Sequence, residues 1–117
     1  MEVWNQWLGV TFFVVSADMT KADIFIWDAP RTGNNLGVTR WRVVPDSVRS
    51  KYRYAVLPVI TMFVHDHAVL THELGHAIGL AHDKKNRRSI MYPYMNGMYV
   101  PRLEGRDKAA LRRVYKF

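Results

Sequence analysis

Cysteine is absent from the sequence, and no long apolar run occurs in it. Without cysteine the chain has no disulfide and no thiolate, so a zinc site would have to use His, Asp or Glu ligands. No stretch approaches the ~18 apolar residues that a membrane-spanning helix needs, so we expect no membrane partner. Met1 leads into a mixed polar and aromatic segment instead of a basic start, so no signal peptide is predicted.

Acidic residues are also scarce: 10 Asp and Glu stand against 17 Lys and Arg, which gives a net charge of +7. Such a charge attracts an anionic partner, whether an acidic polypeptide, a nucleic acid or an anionic surface. The basic residues are spread along the chain, and solvated surface is the simplest explanation for most of them. The densest run is Lys84-Lys85-Asn86-Arg87-Arg88. The charge therefore predicts no specific nucleic-acid partner.

What the sequence does contain is one segment, residues 72–83, that holds three His and two acidic residues. Residues four apart lie on the same face of an α-helix, so His72 and His76 can present two imidazole nitrogens to one metal ion. Glu73 is rotated ~100° from His72 around the helix. That rotation keeps Glu73 from coordinating but within reach of a water on the metal. The spacing predicts two zinc ligands and a general base on one helix.

Gly79 predicts the end of this helix, because glycine accepts the left-handed backbone found at helix C-termini. The turn would bring His82 back to the metal as a third ligand. Three protein ligands leave one tetrahedral position open, as in catalytic zinc, whereas structural zinc takes a fourth ligand. The alternative is a core helix that contains histidines. It would have to place four ionisable residues and two helix-weakening glycines in one apolar helix, so we favour the zinc site.

The long motif, with its Gly and its third His, resembles the metzincin clan of zinc endopeptidases. A second segment, Ser89-Ile90-Met91-Tyr92-Pro93, resembles the Met-turn of that clan, in which Met91 would form the hydrophobic floor of the site. Within the clan the likeness is greatest to the matrixins, although matrixins usually have Ser where this chain has Asp83. The last helix of matrixins carries a pattern like that of Leu103, Asp107, Leu111 and Tyr115.

This resemblance implies one catalytic Zn²⁺ held by His72, His76 and His82, with Glu73 as the general base. It also implies hydrolysis of internal peptide bonds and an extracellular location. Matrixins place a structural zinc and a calcium in the loop that matches Asp28–Gly37. This loop contains no His, which argues against both ions.

Hydrophobic patterning predicts the remaining elements. A helix over Glu2–Leu8 ends at Gly9, and Glu104–Phe117 forms a closing helix with Leu103, Ala110, Leu111, Val114 and Tyr115 facing inward. Asp107 either pairs near the Met-turn or is a surface acid in the first turn. Asp66 is the predicted N-cap of the motif helix. Strands are predicted over Val10–Val15, Ala22–Trp27, Val38–Val43 and Tyr54–Val64. Within the last of these, Pro58 indicates an edge strand or a bulge. A mobile loop is predicted over Val48–Arg53, and an apolar wall over Tyr94–Tyr99.

The expected fold is therefore α+β and metzincin-like, with a small mixed sheet, an active-site helix and a C-terminal helix in a single domain, residues 1–117. Matrixins begin with a strand and a long helix, of which Trp4 and Trp7 match only the helix end. We therefore expect the first strand and part of the first helix to be missing from this sequence. Val10–Val15 and Ala22–Trp27 would then pair directly, or leave unpaired backbone groups that cost stability.

Three functions are compatible with these observations. The first is a monomeric zinc endopeptidase whose polypeptide substrate binds along the strand Val38–Val43. The basic charge of the chain would favour substrates with acidic stretches. The second is a zinc hydrolase of a non-peptide amide, for which the same groups suffice. The third is a binding module that retains the fold. Glu73 argues against the third, because a scaffold needs no general base.

Overall fold

The computed structural model describes residues 2–18, 21–45, 54–93 and 102–117. Within these ranges, a mixed sheet is combined with helices that precede and follow it, which confirms the predicted α+β class. None of the helices described is long and apolar enough to cross a membrane. The elements are α1 (Glu2–Leu8), β1 (Phe25–Asp28), β2 (Gly37–Pro45), β3 (Tyr54–Met62), α2 (His67–Ala77) and α3 (Gly105–Tyr115).

The sheet has the order β1-β3-β2, so β3 is its central strand. β1 runs parallel to β3, with Phe25 opposite Val59. β2 runs antiparallel to β3, with Thr39 opposite Ile60. One edge of β2 is therefore left without a neighbouring strand in the described part of the sheet, as the expected peptide-binding strand requires.

The core lies between the sheet and α2, and it extends to the turn at Met91 and to α3. Leu74 and Leu80 of the motif segment are buried in it. This packing matters for function because it holds α2, the helix that bears the motif, against the sheet. The buried cluster consists of Trp4, Leu8, Ile60, Met62, Val69, Leu74, Ile78, Leu80, Ile90, Met91 and Leu111.

The predicted helix α1 is present, but the prediction of a strand over Val10–Val15 is wrong. The side chain of Asn5 supplies the reason. Its Oδ1 accepts hydrogen bonds from the backbone N–H groups of Phe12 and Phe13, both at 2.8 Å, and its Nδ2 donates to the Phe13 carbonyl at 3.0 Å. These backbone groups thus bond to a side chain instead of a neighbouring strand, and the expected pairing with the next strand does not form.

The structure corrects two further predictions in the sheet. The strand predicted over Ala22–Trp27 is shorter and is limited to β1. Pro58 marks neither an edge nor a bulge, since it lies in the central strand opposite Trp41. Its missing N–H is tolerated because the register with β1 begins only at the next residue, Val59.

The closing helix is also only partly as predicted. α3 buries Leu111, but Val114 is 69% exposed and Ala110 is exposed as well, so these two side chains do not face inward. Tyr115 is exposed as well, although its ring packs edge-on against Phe12 with a centroid separation of 5.1 Å. The loop predicted over Val48–Arg53 and the wall over Tyr94–Tyr99 lie outside the described residues.

Candidate metal centre

The helix α2 begins where the sequence predicts. Asp66 is its N-cap, and Oδ1 of Asp66 accepts hydrogen bonds from the backbone N–H groups of Ala68 at 2.8 Å and Val69 at 3.3 Å. Such a cap satisfies backbone donors that have no partner within the first helical turn. With the helix start fixed, His72 and His76 lie one turn apart on the same face.

The end of α2 turns the chain back towards those two histidines. Gly79 has φ +107°, in the region that favours glycine, and the N–H of Leu80 donates to the carbonyl of Gly75 at 2.9 Å. The hydroxyl of Tyr115 in α3 donates to the carbonyl of Ile78 at 2.9 Å, which satisfies another group at this helix end. After the turn, His82 lies beside the other two imidazoles.

The structure brings the three predicted ligands together. One nitrogen from each of His72, His76 and His82 can be chosen so that all three lie within 4.8 Å of one another. Nε2 of His72 and Nε2 of His76 are 3.1 Å apart. The ring of His82 is centred 5.2 Å from that of His72 and 4.7 Å from that of His76. The three side chains therefore converge on one point.

In His72 and His76, the hydrogen bond made by Nδ1 shows which of the two ring nitrogens carries the proton. Nδ1 of His72 donates to the carbonyl of Ile90 at 2.6 Å, and Nδ1 of His76 donates to that of Leu80 at 2.8 Å. A carbonyl oxygen only accepts, so both Nδ1 atoms carry the proton and both Nε2 atoms present lone pairs. Two lone pairs cannot form a hydrogen bond with each other. They can share a cation, and tetrahedral zinc with bonds of 2.0–2.1 Å places two ligand nitrogens about 3.3 Å apart.

The protonation of the site suits a metal as well. Burial lowers the pKa of His72, and the neighbouring His76 lowers it further, against an opposing effect of the bond to the Ile90 carbonyl. Burial also lowers the pKa of His82, as do the nearby His76 and His72. A lowered pKa favours the neutral imidazole, which is the form that binds a metal. The donor set therefore fits zinc.

The fourth predicted site residue, Glu73, is only 5% exposed and lies in the same cleft. Its Oε2 accepts a hydrogen bond of 2.9 Å from the hydroxyl of Thr39 in β2. The cleft has a volume of about 600 Å³ and is bordered by the three histidines, by Glu73, by the start of β2 and by Tyr92 and Pro93. A larger cavity of about 1090 Å³, lined mainly by apolar residues, contains none of the three histidines.

The comparison with known proteins agrees with this geometry. The peptidase family model described as matrixin matches residues 40–116, which is more than half of the chain and includes all three histidines. The chain belongs to the matrixin family. Its metzincin-like fold is thereby confirmed, and matrixins in general are zinc metalloproteases.

Two relatives of this matrixin match it over shorter segments. A protein of Trichoplusia ni ascovirus 2c, provisionally named a matrix metalloproteinase, is 64% identical over 31 residues, which are 26% of this chain and 6% of that protein. The hatching enzyme of Paracentrotus lividus is 47% identical over 49 residues, which are 40% of this chain and 8% of that protein. The matched segments thus span less than a tenth of either relative.

In this matrixin chain the turn at Met91 packs against α2, the helix that carries two of the three histidines. Met91 is fully buried, and its N–H bonds to Oγ of Ser89 at 3.0 Å. A Cβ atom on Gly75 of α2 would clash with Sδ of Met91 and lie 3.2 Å from Cζ2 of Trp4. Gly75 thus allows the turn to approach the helix closely. The Ile90 carbonyl that orients His72 belongs to the same turn.

Sequence reasoning missed two contributors to this site. Thr39 lies in a strand far from the motif, and nothing in the local sequence signals its contact with Glu73. Asp83 could be found only as a departure from the usual matrixin residue, yet the structure buries it and pairs it with Arg106 of α3. His65 is exposed, with Nε2 3.4 Å from Oδ1 of Asp28, and His67 is exposed too, so neither joins the three histidines.

Asp107 is less exposed than the surface alternative predicts. It lies in the first turn of α3 as expected, but it is not a fully solvated surface acid. Its Oδ2 is buried and has no hydrogen-bond partner in the described part of the chain. Burial raises the pKa of this carboxyl, and Asp83 and Glu104 raise it further, while the Arg106 guanidinium opposes the shift.

Proposed function

We propose that this matrixin domain is a zinc-dependent endopeptidase in which His72, His76 and His82 hold the metal and Glu73 is the general base. The observation that carries the proposal is the convergence of three imidazole nitrogens beside a buried carboxylate in an open cleft. When bound, zinc would supply the electrophile that polarises a water molecule and lowers its pKa from 15.7 to about 7.

Glu73 moves the proton in this proposal. Its Oε2 is held by Thr39, so Oε1 takes the proton from the attacking water and returns it to the nitrogen of the leaving amine. His72 and His76 keep their Nδ1 protons throughout, because those protons are donated to main-chain carbonyls. Met91 is fully buried against Gly75 of α2, so water does not reach that side of the helix.

The substrate would bind as an extended peptide along β2. This strand lies at the edge of the sheet and begins at the rim of the cleft, so its backbone can pair with a peptide by β-augmentation. A peptide that continues past the cleft in both directions would be cut at an internal bond. The exposed basic residues Lys84, Lys85 and Arg87 lie shortly after His82 in the chain and favour acidic stretches in the substrate.

The test begins with the zinc content of the purified 117-residue chain and its cleavage of a heat-denatured protein. We expect about one zinc per chain, cleavage that stops on addition of a chelator, and recovery when zinc is restored. The control is Glu73→Gln, which should keep its zinc and its fold but hydrolyse about 10²–10⁴ times more slowly.

Three other results would contradict the proposal. Wild-type turnover in Glu73→Gln would remove Glu73 as the base. Hydrolysis of small acyl amides without cleavage of any polypeptide would favour the non-peptide amide hydrolase. Binding of polypeptides without hydrolysis by the zinc-loaded chain would favour a binding module.

A further inference from the structure

The contact between Thr39 and Glu73 joins the two parts of the site that lie on different elements. The hydroxyl of Thr39 in β2 is 2.9 Å from Oε2 of Glu73 in α2, and 3.1 Å from the main-chain carbonyl oxygen of the same residue. A hydroxyl has one proton, so the two acceptors share it. The shorter of the two contacts is the one to the carboxylate.

This contact is possible because β2 lies unusually close to α2. A Cβ atom on Gly37 would be 3.0 Å from Cγ1 of Val69 and 3.1 Å from Cγ of Glu73. Thr39 lies two residues further along the same strand and is held opposite the fully buried Ile60 by the sheet register. The strand that places the Thr39 hydroxyl is therefore fixed by backbone pairing on one side and by the helix on the other.

Glu73 needs such a donor. Its side chain is 5% exposed, and a buried carboxylate without hydrogen bonds is costly. In the described part of the chain, Thr39 is the residue that donates to this carboxylate. Because a carboxylate on a flexible side chain can adopt several rotamers, a short bond from a rigid strand selects one of them.

We infer that Thr39 is a positioning residue that holds the Glu73 carboxylate in its working orientation, an inference that rests on the proposed endopeptidase function. Thr39 itself touches neither substrate nor metal in this role. Its strand is also the one along which the peptide would bind, so one rigid element aligns both the substrate backbone and the base. Loss of the hydroxyl should therefore slow the chemical step and leave peptide binding intact, since β-augmentation uses main-chain groups.

The experiment compares Thr39→Val, which keeps the shape and loses the hydroxyl, with Thr39→Ser, which keeps the hydroxyl. Thr61→Val is the matched control, because Thr61 lies in β3 opposite Val38 and so faces away from the side on which Thr39 meets α2. We expect Thr39→Val to lower kcat about 10- to 100-fold with little change in KM or zinc content. Thr39→Ser should recover most of kcat, and Thr61→Val should behave as wild type.

A second measurement does not depend on activity. If the contact is real, Thr39→Val should lower Tm in the wild-type background and lower it clearly less in a Glu73→Ala background, where the carboxylate is gone and only the main-chain carbonyl of residue 73 remains as an acceptor. Wild-type kcat in Thr39→Val, equal loss in Thr39→Ser, or the same Tm shift in both backgrounds would overturn the inference. If the wild-type chain shows no chelator-sensitive hydrolysis, the proposed function fails, and the two Tm shifts alone decide whether Thr39 holds Glu73.

Discussion

Asp83 and Arg106 form a salt bridge between the residue that follows the third histidine and the closing helix, with Nη2 of Arg106 2.6 Å from Oδ2 of Asp83. Asp83 is 5% exposed, and its Oδ1 accepts bonds from the N–H groups of Lys85 and Asn86. Its own N–H donates to the Met91 carbonyl at 2.8 Å. Asp83 thus links the His82 segment to α3 through its buried carboxylate and to the turn at Met91 through its main-chain N–H.

Arg106→Gln should weaken this link, because it leaves the buried Asp83 carboxylate without its cationic partner. We expect a lower Tm and zinc binding that is weaker by up to about 10-fold, since supporting residues around metal ligands affect affinity on this scale. Thermal unfolding and zinc titration measure the two effects. Arg113→Gln in the same helix is the control, because Arg113 is exposed. Equal effects of both variants would show that only overall charge matters.

The three proposed ligands can be tested one at a time. His72→Ala, His76→Ala and His82→Ala should each abolish stoichiometric zinc, since each removes one of three protein ligands. Metal analysis after dialysis measures the loss. His65→Ala provides the control, because His65 is exposed and lies apart from the cluster. Full zinc retention in any one of the three variants would exclude that residue as a ligand.

Gly75→Ala should destabilise the domain by about 1–3 kcal/mol, the usual cost of overpacking a core. The added methyl group would clash with Sδ of Met91, which is fully buried and has little room to move. Denaturant unfolding gives the change in the free energy of unfolding. Gly33→Ala is a suitable comparison, because nothing lies within 4 Å of a Cβ atom there. A Gly75→Ala variant as stable as Gly33→Ala would mean that the turn can shift freely.

Asp107 gives a prediction about pH. Its pKa is raised, chiefly by burial, so the folded state binds this proton more tightly than the unfolded state does. At pH 7 the ionised Asp107 carboxylate therefore lowers the stability of the folded state. That stability is regained as pH falls through the raised pKa towards the ordinary value of 3.8, because the carboxyl becomes protonated. Asp107→Asn should raise Tm at pH 7, with the difference shrinking near pH 4. A lower Tm at pH 7 would reveal a partner that the ionised carboxylate needs.

The sequence predicts those features that depend on neighbours in the chain. The helix α2, its cap at Asp66 and its end at Gly79 follow from local spacing and backbone preference, and so does the common face of His72 and His76. The error at Val10–Val15 has a different origin. The β-branched and aromatic residues favour a strand there, but the Asn5 side chain takes the backbone groups that a strand would use.

Contacts between distant segments are beyond such reasoning. Thr39 and Glu73 form a hydrogen bond although they are 34 positions apart in the sequence. Neither residue type indicates that the other will be its partner. The same holds for Asp83 and Arg106, since a charged pair cannot be chosen among the 17 basic and 10 acidic residues without the packing of α3.

The arrangement of the sheet has a consequence for how the domain folds and opens. β2 and β3 are close in sequence, and their antiparallel pairing runs the full length of both strands, from Gly37 opposite Met62 to Pro45 opposite Tyr54. β1 joins β3 through only four registered residues, and Phe25 must meet Val59 across more than thirty intervening positions. Closing that larger loop costs more chain entropy for fewer backbone bonds. β1 should therefore dock last and detach first, and its amides should exchange with solvent at a lower opening free energy than those in the centre of β3.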